Sequence, residues 1–133
     1  MEYKHYRTCV CNINYHLIFS TKYRKKVLRG EVEQTLKQLF KEISEDKGFE
    51  IVSMEIGGND HIHMFIKAHP KYAIGQIVKW IKGISGNLIF VKHPELRKEL
   101  WKGKIWTHGY FVETIGSTSE ENIKKYIKNQ KKE

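Results

Sequence analysis

The stretch Gly57-Gly58-Asn59-Asp60-His61-Ile62-His63-Met64-Phe65-Ile66 leaves the chain few ways to fold. Side chains alternate faces along a strand. A strand over 61–68 therefore turns Ile62, Met64, Ile66 and Ala68 to one side, fit for a core, and His61 and His63 to the other. Two imidazoles about 7 Å apart on one side of a strand can grip one cation where their side chains converge. Seven histidines in 133 residues yield about 0.4 His-x-His pairs by chance, so the pair needs a second feature beside it.

The rest of the chain supplies elements to pair with and cover that strand. Residues 9–20 alternate too: Cys9, Cys11, Ile13, Tyr15, Leu17 and Phe19 form an apolar face, and Asn12, Asn14, His16 and Ser20 a wetter one. Residues 31–47 carry Val32, Leu36, Leu39, Phe40 and Ile43 at helical spacing, with Gly48 as the stop. Residues 49–56 read as a strand that enters the turn Gly57–Asp60, which predicts an antiparallel hairpin with 61–68. After His69-Pro70, a helix from about 73 to 92 turns Ile74, Ile77, Val78, Ile81, Ile84 and Leu88 inward. Gly83 and Gly86 within it point to close packing or a bend. A connection over 93–103 includes a helical turn at 95–101, and 104–115, rich in aromatic and β-branched residues, reads as a fourth long strand. Past Gly116-Ser117-Thr118, where Ser117 with Glu120 or Thr118 with Glu121 makes a capping box, a last helix spans 119–132. Its apolar content is thin, so burial within its own chain cannot hold it. The order βα-ββ-αβ plus a helix predicts an α+β fold in one domain, 1–133. The expected architecture is a ferredoxin-like split βαβ antiparallel sheet with two helices on one face and a further C-terminal helix.

Charge speaks to partners. A net charge of +9 favours a polyanion, with nucleic acid ahead of a membrane because no basic amphipathic helix with an aromatic face stands out. Lys22-Tyr23-Arg24-Lys25-Lys26 sets an aromatic among four cations beside a strand end, which suits phosphate contact with base stacking; such runs are more often plain solvated loops. Lys79 and Lys82 lie outside the apolar stripe of the second helix. No apolar run reaches the length of a membrane span and the first residues do not read as a signal peptide, so the cytoplasm is the expected location. Cys9 and Cys11 sit too close for an easy mutual disulfide and have no second pair to complete a metal site; buried free thiols are expected.

The second feature lies far along the chain. Tyr126 and Gln130, four apart, share a face of the last helix. A phenol attacks a phosphodiester when something polarises the phosphate, as a divalent metal does. Two imidazoles and a carboxamide oxygen make a mixed N/O set that suits Mg²⁺ or Mn²⁺ better than a structural zinc. Taken alone, Tyr126 reads more readily as a packing aromatic on an amphipathic helix than as a nucleophile.

The ordered pieces Tyr15-His16-Leu17-Ile18-Phe19-Ser20-Thr21-Lys22-Tyr23-Arg24, Asn59-Asp60-His61-Ile62-His63, Trp80-Ile81-Lys82-Gly83-Ile84-Ser85, Trp106-Thr107-His108-Gly109-Tyr110-Phe111-Val112 and Tyr126-Ile127-Lys128-Asn129-Gln130 cover nearly the whole chain. Together they resemble the small single-tyrosine transposases of insertion sequences, the TnpA type of the His-hydrophobic-His (HUH) nucleases. The resemblance implies that His61, His63 and Gln130 bind the metal and that Tyr126 attacks single-stranded DNA. The products would be a 5′-phosphotyrosine and a free 3′-OH. It also implies a homodimer with sites shared between subunits, acting on DNA hairpins near element ends. Lys22, Tyr23, Arg24, Lys25, Lys26, Lys79 and Lys82 are the candidate DNA contacts. One alternative is a domesticated relative cutting repeated chromosomal hairpins, which would share all these residues. A non-catalytic nucleic-acid-binding module would instead expose stacking aromatics on its central strands, where His61 and His63 stand. A zinc hydrolase on the pair would need an acidic neighbour, and alternation sends Asp60 to the opposite face.

Overall fold

A computed structural model of the chain describes residues 3–100 and 103–116. A small ribbon of β1 (Lys4–His5) and β2 (Val10–Cys11) precedes a four-stranded sheet of β3 (Ile13–Ser20), β4 (Glu50–Gly57), β5 (His61–Ala68) and β6 (Phe111–Ile115). The order across the sheet is β4-β5-β3-β6, and every pairing is antiparallel. Helices α1 (Gly30–Lys47) and α2 (Ile74–Lys92) supply the crossovers, which gives the expected ferredoxin-like arrangement. Helix α1 stops at Gly48, whose φ of 82° only glycine adopts without strain and whose N–H caps Ser44 O.

The alternation in β3 and β5 builds the core. Leu17 and Phe19 of β3 and Ile62, Met64 and Ile66 of β5 are buried with Leu36, Phe40 and Ile43 of α1 and Ile77, Val78 and Ile81 of α2. The helices thus cover the apolar face, and burying these side chains contributes roughly 1.5–3 kcal/mol each. In α2 the inward stripe differs at one end: Leu88 is 39% exposed, and Ile89 and Phe90 are buried in its stead. Of Gly83 and Gly86, only Gly86 packs against a neighbour, since a Cβ there would lie 3.5 Å from Trp106, while Gly83 has open space.

Two long strands predicted from sequence are shorter. The run 9–20 breaks at Asn12, whose Oδ1 accepts a hydrogen bond from Asn14 Nδ2 at 2.7 Å; such local bonds compete with ladder pairing. The run 104–115 pairs as a strand only from Phe111, apart from one bridge between Thr21 and Trp106. The reason is Lys82, whose Nζ donates to the carbonyls of Thr107, His108 and Gly109 at 2.7, 3.1 and 2.9 Å. Those carbonyls turn toward α2 rather than toward a neighbouring strand. Cys9 and Cys11 are free thiols, but half-buried rather than buried. The helix expected over 119–132 lies outside the described residues.

Candidate active site on the histidine face

Strand register decides what surrounds the histidine pair. Ile18 of β3 lies across from His63 and Ser20 across from His61; on the other flank, Glu55 and Gly57 of β4 lie across from His63 and His61. Directly opposed residues share a face. His16 of β3 joins the same face, and β6 adds Glu113 opposite His16 and Phe111 opposite Ile18. This second face is no bare surface: His16 is 0% and His63 3% exposed. A depression of about 510 Å³ opens beside the pair, lined by His61, His63, Ser20, Arg24, Tyr110 and Phe111 among others.

His61 is held from the hairpin turn. Gly58 and Asn59 both have φ near +60°, as a two-residue turn of the hairpin type requires, and Asp60 N–H closes it on Gly57 O at 3.2 Å. Thr21 N–H to Asp60 O (2.8 Å) and Leu28 N–H to Asn59 O (2.9 Å) pin the turn to the loop after β3. The buried Asp60 carboxylate accepts from His61 Nδ1 at 2.8 Å, Arg24 Nε at 3.2 Å and Lys26 Nζ at 3.2 Å. Burial alone would raise its pKa. The bonds from His61, Arg24 and Lys26 outweigh burial and bring it down to about 2. The expectation that Asp60 points away from the pair is therefore corrected. It is a turn residue, and strand alternation does not govern it.

His63 is held by a longer chain. His16 Nε2 lies 3.2 Å from His63 Nδ1, and His16 Nδ1 lies 3.2 Å from Glu113 Oε1. The His16 ring stacks on Phe65, with centroids 4.9 Å apart and planes 7° apart. Burial pushes the His16 pKa below its ordinary value, against the opposing pull of Glu113. Both members of the pair are thus oriented through Nδ1, the usual arrangement behind metal-binding imidazoles.

A divalent cation fits this pair. The His61 and His63 rings are 5.2 Å apart. A Cβ on Gly57 would run into His61 Nε2, so glycine keeps space open at that nitrogen. Among the described residues no group of three or more His, Cys, Asp or Glu is arranged to hold a metal, so a cation on the pair would need further ligands. Tyr126 and Gln130, the expected nucleophile and third ligand, lie outside the described residues.

The expected DNA contacts divide. Lys25 and Lys79 are exposed; Tyr23 is exposed as well, with φ 60° and Lys22 Nζ 5.6 Å from its ring centre. Arg24 and Lys26 are engaged by Asp60, and the Lys82 amine by three carbonyls. Lys22, Lys79, Lys82 and Lys104 line a second depression of about 440 Å³ between α2 and residues 103–110, with Trp106 and Tyr110 beside them. Sequence reasoning missed Glu113 and the contacts that His16 makes with Glu113 and His63. His16 was visible on the wetter face of its strand, but its partners follow from register alone.

Comparison with known proteins bears on this site. The family model described as "Transposase IS200 like" matches residues 9–130. The chain is 38% identical over 130 residues to the ISDra2 transposase TnpA of Deinococcus radiodurans, covering 98% of this chain and 92% of that one. It is 30% identical over 122 residues to the transposase for insertion sequence element IS200 of Salmonella typhimurium, covering 92% and 79%. A crystal structure of a D. radiodurans protein assigned as a transposase superposes with a TM-score of 0.78 at 36% identity, covering 96% of this chain and 97% of that one. The fold is also that of a REP-associated tyrosine transposase bound to a REP hairpin, with a TM-score of 0.60 at 15% identity, over 93% of this chain and 68% of that one.

Proposed function

The chain belongs to the IS200-like transposase family, and from that premise we propose that it cuts and rejoins single-stranded, hairpin-bearing DNA at the ends of an insertion sequence through a phosphotyrosine link. The observation that carries this reading is the His61–His63 pair, with both rings oriented through Nδ1 by Asp60 and His16. A hairpin as the DNA form draws support from the REP hairpin bound by a tyrosine transposase of the same fold.

In this reading His61 and His63 hold a divalent cation, Mg²⁺ or Mn²⁺, with the Gln130 carboxamide as a further ligand. When bound, the cation polarises the scissile phosphate. The Tyr126 phenol, losing its proton, attacks phosphorus and expels the 3′-oxygen, which leaves as a hydroxyl. The 5′-phosphate stays on the tyrosine. The reverse attack by a 3′-hydroxyl restores the phosphodiester and frees the phenol, so no nucleotide cofactor is consumed. The cations Lys22, Lys25 and Lys79 contact DNA phosphates, with Tyr23 as a stacking ring. Arg24, Lys26 and Lys82 act mainly by holding the loops that frame the site.

Labelled hairpin strands from the DNA flanking the gene test this directly. Wild-type protein with Mg²⁺ should form an adduct that survives a denaturing gel, and excess EDTA should remove it. Tyr126→Phe should bind the hairpin and form no adduct. An adduct from that variant would assign the nucleophile elsewhere and sink the reading.

The segment that carries Tyr126 in one subunit serves the histidine pair of the other, because its sequence has little apolar content to hold it to its own chain. Co-expressing Tyr126→Phe with a His61→Ala, His63→Ala double variant, each tagged, should restore activity to at most about half per mixed dimer, since one complete site forms. A verified mixed dimer that binds hairpin and stays inactive would overturn the shared site.

A further inference from the structure

We infer that Glu113 and His16 form a relay that fixes the tautomer of His63, so that its Nδ1 carries the proton and its Nε2 the lone pair. An ionised carboxylate only accepts hydrogen bonds, so the 3.2 Å contact between Glu113 Oε1 and His16 Nδ1 puts the His16 proton on Nδ1. A neutral imidazole with its proton there has an acceptor at Nε2. His16 is fully buried and stacked on Phe65, a setting that disfavours a second proton on the ring. The 3.2 Å contact between His16 Nε2 and His63 Nδ1 then demands the proton on His63 Nδ1. The donor direction runs His63 to His16 to Glu113, and Nε2 is the basic atom of His63. Asp60 does for His61 in one step, at 2.8 Å, what Glu113 does for His63 in two. Glu113 and His16 are positioning residues: neither needs to touch metal or DNA. The metal-presenting half of this inference rests on the proposed reading of His61 and His63 as ligands. The tautomer half does not.

The test separates the two. Long-range proton–nitrogen correlations of the imidazoles, recorded on the full metal-free chain at neutral pH, should report His63 protonated at Nδ1. Glu113→Met keeps most of the side-chain volume and removes the acceptor, so nothing holds the His16 proton on Nδ1. That releases the relay and spreads the His63 proton over Nδ1 and Nε2. Mn²⁺ affinity, titrated without DNA, should fall about tenfold, with the backbone amide spectrum otherwise unchanged. His16→Phe keeps the stack on Phe65 and removes both relay nitrogens; it should leave His63 as a mixture of tautomers. A packing role alone would change the melting temperature without moving the His63 proton. Wild-type His63 protonated at Nε2, or a Glu113→Met protein with unchanged tautomer and Mn²⁺ affinity, would overturn the relay even where the enzyme cuts DNA. The expected tautomers in a protein that forms no tyrosine adduct would support the relay and sink the functional reading.

Discussion

Among the described residues, two chains of carboxylate, imidazole and a third polar group end differently. At the sheet, Glu113 meets His16, which meets His63. Behind the sheet, Glu95 Oε1 lies 3.2 Å from His93 Nδ1, and His93 Nε2 lies 2.8 Å from Thr35 Oγ1. By the same proton logic Glu95 sets His93, which accepts from the Thr35 hydroxyl. The second chain has the order of a nucleophile, base and acid, yet Thr35 sits inside α1, where backbone N–H groups are bonded within the helix and cannot face a developing oxyanion. It joins α1 to the 3₁₀ turn Pro94–Lys98 that follows α2. The first chain ends on a second imidazole, in a depression shared with His61. Identical links therefore make a joint inside the fold in one place and end on the histidine face in another. What the last member faces decides the outcome.

The sharpest break of that comparison is at the two ends. His63→Ala should take cleavage below detection. Thr35→Val should leave cleavage within about twofold and lower stability by about 1 kcal/mol, read from denaturant unfolding. Loss of cleavage in Thr35→Val would mean that the second chain also serves the chemistry. Next in size is Gly57→Ala. The added methyl meets the end of the His61 side chain, which can swing aside, so the fold should hold within about 0.5 kcal/mol while Mn²⁺ affinity drops at least about tenfold. Unchanged Mn²⁺ binding in that variant would remove His61 from the ligand set.

The effect furthest from the chemistry concerns acid stability. Because Asp60 titrates in the folded state near 2, below its ordinary 3.8, its contribution of about 2 kcal/mol is present above pH 4 and disappears as pH falls from about 4 to 2. In metal-free protein, wild type and Asp60→Asn should therefore differ most at neutral pH and converge by about pH 2. A gap that stays constant with pH would mean that Asp60 holds the turn by shape rather than by charge.

How much of this was legible beforehand follows from the range of each interaction. The core face of β5 and the histidine pair are encoded in alternation over eight residues, and α1 in its apolar spacing with Gly48 as the stop. The turn Gly57–Asp60 was readable as a turn, but alternation misplaced Asp60 because a turn has no period of two. Residues 104–115 have strand composition, yet an amine on α2 claims three of their carbonyls, which no local pattern announces. His16 and Glu113 are 97 positions apart, and their contact exists only through the β3–β6 register. Tyr126 and Gln130 rest on spacing and resemblance, since they lie outside the described residues.

The grip of Asp60 on Arg24 and Lys26 also bears on how binding should respond to salt. A cation that already has an internal counter-charge releases fewer ions when a phosphate arrives. Of the four cations from Lys22 to Lys26, two are so engaged. Each phosphate neutralised on a single strand steepens the logarithmic salt dependence by about 0.7, so this segment should contribute a slope nearer about 1.4 than about 2.8. Replacing Asp60 by asparagine would release both side chains, so the variant should bind single strands with a steeper dependence on salt even as it loses its hold on His61.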